Sequence, residues 1–167
     1  MGTVKQVLGP RDALLPASAY PSYRSTAGTN FPVEALAFDA STEWTCYFQL
    51  LALNYGSGNL TVRVQWYADT ASSGGVTFGC SLAAVTPNTD SGNIEAKAFA
   101  TEVTASDTHL GTTGQRLHEM AVAVSNLDSV AAGDALWLKL ARKVNDGGDT
   151  MTGACLVTAL AVEYSDA

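Results

Sequence analysis

At 167 residues, 47% of them hydrophobic and only 15% charged, the chain is sized for one domain with a sound core. Its net charge of −7 argues against nucleic-acid binding, which draws on clustered Lys and Arg. No stretch approaches the roughly 20 apolar residues of a membrane-spanning helix, and the N-terminus lacks a basic-then-apolar signal pattern. The charge is uneven: residues 1–30 carry three basic residues and one acidic, a net of +2, whereas residues 31–167 carry six basic and fifteen acidic, a net of −9. That asymmetry predicts a different partner for the first segment.

Residues 1–30 contain Pro10, Pro16 and Pro21, which forbid a continuous helix or a central strand. Leu14, Leu15, Tyr20 and Tyr23 are too apolar for a disordered tail. The segment therefore reads as an extended N-terminal arm, and residues 31–167 as the domain body.

From residue 33 the pattern has period two. Every second residue is apolar in Trp44, Cys46, Phe48 and Leu50, in Leu60, Val62, Val64 and Trp66, and in Val76, Phe78, Cys80 and Leu82. The same holds for Leu136, Leu138 and Leu140, and for Leu156, Leu160, Val162 and Tyr164 with Thr158 interrupting. Such alternation puts one face of a strand on a core. Turn-forming clusters fall between the runs, at 54–59, 72–75, 86–93, 131–134 and 145–149. The spacing predicts strands near 33–39, 44–53, 60–69, 76–85, 95–104, 116–125, 135–144 and 154–164. The fifth, IEAKAFATEV, is rich in helix formers and reads equally as a short helix. The predicted fold is all-β, an eight-stranded antiparallel jelly-roll β-sandwich.

Candidate chemistry is sparse. Asn145, Asp146 and Asp149 offer oxygens around two glycines, but calcium wants roughly six to eight, and Gly-Gly between Asp residues is what a tight turn demands. A turn is expected and no metal site. His109 and His118 each stand alone, and no nucleophile elbow, zinc motif or phosphate loop is present. Asp39 with Glu43, or Glu95 with Glu102, reads as solvated charge instead of a glycosidase pair. No catalytic residue, enzyme activity or cofactor is expected. Cys46, Cys80 and Cys155 sit in apolar runs and read as buried free thiols. Trp44, Trp66 and Trp137 read as core packing, with a sugar-stacking platform as the alternative. Arg142 occupies an inward phase, so it needs a partner, and Asp149 across the loop predicts a structural ion pair.

The runs LAFDASTEWTCYFQL, NYGSGNLTVRVQWYADTASSGGVTFGCSLAAVTP, DTHLGTTGQRLH and SNLDSVAAGDALWLKLARKVNDGGDTMTGACLVTALAVEY resemble a family of small β-sandwich virion proteins of tailed bacteriophages. Phe38-Asp39, Tyr55-Gly56, Trp66, Ala132-Gly133-Asp134, Arg142 and Asp149-Thr150 are the most specific elements. Where family members often carry Arg-Asp, this chain has Arg142-Lys143. The resemblance implies a jelly-roll capsid decoration (cement) protein on the capsid exterior, made in the host cytoplasm. Its partners would be itself, as a homotrimer, and the major capsid protein. Arg11, Leu14, Leu15, Tyr20, Tyr23 and Arg24 of the arm would then make the capsid or subunit contacts. The alternative is a tail or fibre module gripping a host glycan, for which Tyr55 and Tyr67 are the candidate residues.

Overall fold

A computed structural model describes residues 2–167. Ten strands form two antiparallel sheets: β1 Thr3–Leu8, β2 Ser22–Thr26, β3 Val33–Phe38, β4 Thr45–Leu51, β5 Tyr55–Ala68, β6 Gly75–Val85, β7 Val103–Thr108, β8 His118–Val124, β9 Ala135–Arg142 and β10 Cys155–Asp166. One sheet runs β2-β3-β10-β5-β8, with β1 also on β10; the other runs β4-β9-β6-β7. The only helical pieces are 3₁₀ turns at Pro10–Asp12 and Ile94–Ala96 among the described residues. None of the helices is long and apolar enough to cross a membrane. The all-β sandwich is as the alternation predicts, with two more strands than expected.

Both extra strands come from the expected arm. β10 has twelve residues, and one of its edges is shared: Cys155–Val157 pair with β3, and Leu160–Ser165 pair with β1. β2 pairs with β3 along its whole length. Thr3–Leu8 and Ser22–Thr26 thus belong to the sheet, and the residues between them include the 3₁₀ turn and a bridge from Leu14 to Tyr47. All three basic residues of this segment meet carboxylates of the body: Lys5 reaches Glu163 at 2.9 Å, Arg24 reaches Asp69 at 2.9 Å, and Arg11 pairs with Glu34. The charge asymmetry has an internal partner.

The core lies between the sheets. Leu36, Phe38, Val62, Val64, Trp66, Val122, Leu160 and Val162 face Cys46, Phe48, Phe78, Cys80, Leu82, Leu136, Leu138 and Leu140, all buried. Phe38 and Phe78 meet edge to face, with centroids 5.3 Å apart. Thr158 breaks the alternation because the register slips between Val157 and Ala159 opposite β5. This bulge switches the core-facing phase, from Cys155 and Val157 before it to Leu160, Val162 and Tyr164 after it. Leu156 accordingly lies on the outer face, in a small cluster with Ala35 and Ala37. The three cysteines are free and buried; burial raises the Cys46 thiol to about 12 and pushes Cys80 and Cys155 upward as well.

β6 is buried on both faces because its outward residues, Thr77, Gly79, Ser81 and Ala83, are small and the chain folds back over them. The expected strand at 95–104 is that cover. Its start is the 3₁₀ turn; Phe99 rests on Tyr47 with centroids 5.6 Å apart. The Glu102 carboxylate occupies the space a Cβ on Gly79 would need. From there Glu102 binds Lys143 at 2.9 Å. Pairing resumes only at β7, whose TASD stretch is too polar to announce a strand.

Arg142 ties one end of the sandwich together. Its Nε and Nη2 donate to the two oxygens of Asp149 at 2.9 and 2.8 Å; Nη2 also donates to the Met151 carbonyl at 2.8 Å. Nη1 donates to the Gly153 and Asp39 carbonyls at 2.9 and 3.2 Å, so all five guanidinium protons are used. Both charges are buried, with side chains 0% and 2% exposed. Asp149 also accepts from the Thr77 amide at 3.1 Å, and Asp146 accepts from the Gly148 amide at 2.8 Å. The Asp-Gly-Gly-Asp loop is therefore a turn locked onto the sandwich.

Two outcomes follow for stability. Arg142→Met strands the Asp149 carboxylate and is expected to cost about 3–5 kcal/mol in urea unfolding. A loss below about 1 kcal/mol would show that the corner holds without it. Deleting residues 2–26 strips Val4 and Leu8 from the core and uncovers β10, with an expected cost of at least about 2–3 kcal/mol. An unchanged melting curve would mean that the segment is dispensable.

Candidate functional site

The outer faces of the two sheets differ. The four-stranded sheet carries Tyr47 and Trp137, which alternation turns outward because Cys46, Phe48, Leu136 and Leu138 point in. Trp137 is therefore no core residue, contrary to expectation, whereas Trp66 is fully buried and Trp44 packs half-buried against the core. The segment with Ile94, Lys97 and Phe99 lies over this aromatic face and leaves a recess of about 320 Å³.

The six-stranded sheet keeps an open groove of about 690 Å³. Tyr67 forms part of its lining, on the outward phase of β5 beside the Ala35–Ala37–Leu156 cluster. One wall is the β2–β3 hairpin. Gly28 turns it at φ +64°, where a Cβ would strike the Phe31 carbonyl, and Phe31 stands 69% exposed. The opposite wall, ahead of β8, contributes Gln115 and Leu117. Arg24 on β2 reaches Asp69 just beyond β5, and this hydrogen bond raises the already high pKa of the guanidinium. An apolar lining with exposed rings beside a few polar forks suits a ligand with one apolar face and several hydroxyls.

No protein-family model matches the sequence, and no curated protein does. Among solved structures, the chain is similar to the CBM36-1 domain of a multidomain xylanase from the hindgut metagenome of Trinervitermes trinervoides. The TM-score is 0.52 at 7% identity, over 98% of this chain and 100% of that one. It is also similar to the CBM22-1 xylan-binding domain from Paenibacillus barcinonensis Xyn10C, with a TM-score of 0.52 at 12% identity over 95% and 89% of the two chains. The fold is a jelly-roll β-sandwich shared with carbohydrate-binding modules. This overturns the capsid-decoration expectation: these two solved structures are carbohydrate-binding modules, not capsid proteins.

Of the arm residues expected to make capsid or subunit contacts, Arg11, Leu14, Tyr23 and Arg24 also make contacts within the chain. Arg11 holds Glu34 and lies over the Tyr23 ring at 5.6 Å, and Leu14 bridges the β4 edge through both of its backbone groups to Tyr47. Leu15 and Tyr20 are exposed, and Arg24 belongs to the groove. Of the two glycan candidates, Tyr55 donates its hydroxyl to the Gly58 carbonyl at 2.6 Å and packs on Tyr164, while Tyr67 is in the groove.

The acidic pairs do not pair with each other. Asp39 accepts from the Ser41 and Thr42 amides at 2.7 Å, and Glu43 and Glu102 both hold Lys143. The two histidines do not stand alone: their rings lie 4.5 Å apart, and His118 stacks on Trp66 at 4.4 Å. No spacing in the sequence joins residues 66, 109 and 118; the pairing of β5 with β8 brings 66 to 118, and the connection that follows β7 adds 109.

The Glu34 carboxyl is held at about 2, first by its hydrogen bond from Arg11 and then by that from Tyr23. A lowered folded value means that the contact helps docking above the unfolded carboxylate range, near 4.3, and is lost as pH falls from there toward about 2. A side-chain NMR titration should place Glu34 well below the ordinary glutamate value; a midpoint near 4.3 would show the pair to be open in solution.

Proposed function

We propose that the protein is a non-catalytic carbohydrate-binding module whose saccharide lies in the groove on the outer face of the six-stranded sheet. The observation that carries this reading is the groove itself: Tyr67 and the exposed Phe31 beside Arg24, Asp69 and Gln115. A pyranose has an apolar C–H face that stacks on an aromatic ring and equatorial hydroxyls that pair with planar polar groups. Arg24 brings five N–H donors, of which Nη1 makes the ion pair to Asp69, and the Asp69 carboxylate accepts. The shared fold of the two xylanase-associated domains frames the proposal; the groove residues support it.

Retardation in native gels containing soluble xylan, β-mannan or mixed-linkage β-glucan, followed by calorimetry with the best ligand at neutral pH, tests the reading. Tyr67→Ala is expected to weaken binding by about tenfold or more, near 1.4 kcal/mol, with little change in melting temperature. Trp137→Ala, on the opposite face, is expected to leave affinity intact. If Trp137→Ala abolishes binding and Tyr67→Ala does not, the site belongs to the aromatic face of the four-stranded sheet. If none of these polysaccharides retards the protein, the glycan reading fails.

A further inference from the structure

We propose that His109 and His118 form a pH-sensitive latch that holds one wall of the groove in place at neutral pH and releases it in acid; what the latch regulates rests on the glycan reading. The wall is the connection from β7 to β8, residues 109–117, which brings Gln115 and Leu117 to the groove. It is fastened from behind by two imidazoles, each residue only 6% exposed.

The hydrogen bonds fix both tautomers. Nε2 of His118 accepts from the Leu110 amide at 3.0 Å, so its proton is on Nδ1. Nδ1 of His109 accepts from the Gly111 amide at 3.0 Å, so its proton is on Nε2, which donates to the Gly114 carbonyl at 3.0 Å. Both rings are therefore neutral, and the cage is built for that state. His118 Nδ1 has no hydrogen-bond partner among the described residues.

A second proton on either ring would turn an accepting nitrogen into a donor aimed at a backbone N–H. The Leu110 or Gly111 amide would then lose its acceptor inside a largely buried site, where an unmet donor is costly. The new cation would also face the other imidazole at 4.5 Å. The charged groups around the pair pull in opposite directions. Asp107 on β7 favours a cation, but its Oδ2 accepts from Trp66 Nε1 at 3.0 Å and its Oδ1 from the Thr108 amide at 2.9 Å. Arg116, in the loop itself, acts both ways: its backbone favours a cation on His118 and its side-chain charge disfavours one. Burial first and His109 second lower the His118 pKa.

The sign is then settled. His118, whose pKa is lowered in the folded state, contributes fully to holding the wall above its ordinary value near 6.5, and that contribution is lost as pH falls from there toward the lowered value. Thr112 adds a reason for the wall to move once freed. It is β-branched and sits at φ 72°, a strained conformation that persists only while its surroundings impose it.

Amide hydrogen exchange on the full chain without ligand, between about pH 7.5 and 5.0, reads the latch directly. Protection of the Leu110 and Gly111 amides, corrected for intrinsic exchange, is expected to fall about tenfold or more while β9 keeps its own. Imidazole NMR should show His109 as the Nε2–H and His118 as the Nδ1–H tautomer at the upper pH. His118→Gln keeps an acceptor but cannot titrate, and is expected to flatten the response at Leu110. Should that variant misfold, the wild-type ring signals still decide. Protection that stays constant over the range, or rings that titrate at the ordinary value without any change at Leu110 and Gly111, would overturn the latch. Lost protection in a protein that binds no glycan keeps the latch and removes the glycan reading; constant protection with pH-independent glycan binding does the reverse.

Discussion

The buried pair of Arg142 and Asp149 is the contact on which one end of this sandwich depends. A guanidinium out of water is tolerable only if its charge is met and every N–H has an acceptor. Here one carboxylate supplies the counter-charge and carbonyls of Asp39, Met151 and Gly153 supply the rest. Those acceptors come from the end of β3 and from the loop between β9 and β10, so satisfying one side chain fixes how both leave the sandwich. The demand is geometric as well as electrostatic, because the guanidinium fork is planar and rigid.

With that end fixed, the two faces part ways. The chain covers the outer face of the four-stranded sheet with its own residues 93–102, whose Phe99 and Glu102 settle on Tyr47 and over Gly79. The small outward residues of β6 make this close approach possible. Among the described residues, nothing comparable crosses the six-stranded sheet beside Tyr67, where the β2–β3 hairpin and the 109–117 connection stand as walls and leave a groove between them. The N-terminal segment helps to build that groove, since β2 supplies Arg24 and the hairpin supplies Phe31. A cationic segment on an acidic body is thus spent largely within the molecule.

Much of the fold is legible in the residues. Period-two runs locate β3, β4, β5, β6, β8, β9 and β10, and the misplaced Arg142 points to Asp149. Placing Trp137 on the core-facing phase of its strand misreads the same alternation, which turns it outward because it sits between Leu136 and Leu138. Thr158 marked a break whose meaning, a bulge that switches the core-facing phase of β10, needs the partner strand. β7 was hidden because Thr, Ala, Ser and Asp on an edge carry little hydrophobic contrast.

By itself the sequence determined the all-β class, the core residues, the turns and the buried ion pair, because each depends on neighbours a few positions apart. Only the tertiary structure decided that the N-terminal residues join the sheet, that the rings of residues 66, 109 and 118 meet, and that one outer face is covered while the other stays open. Several of those contacts join residues far apart in the chain, such as Trp66 with His118 and Thr3 with Ser165, and they exist only once strands have found their partners. Periodicity tells a strand which side to bury; it does not say which strand will lie beside it.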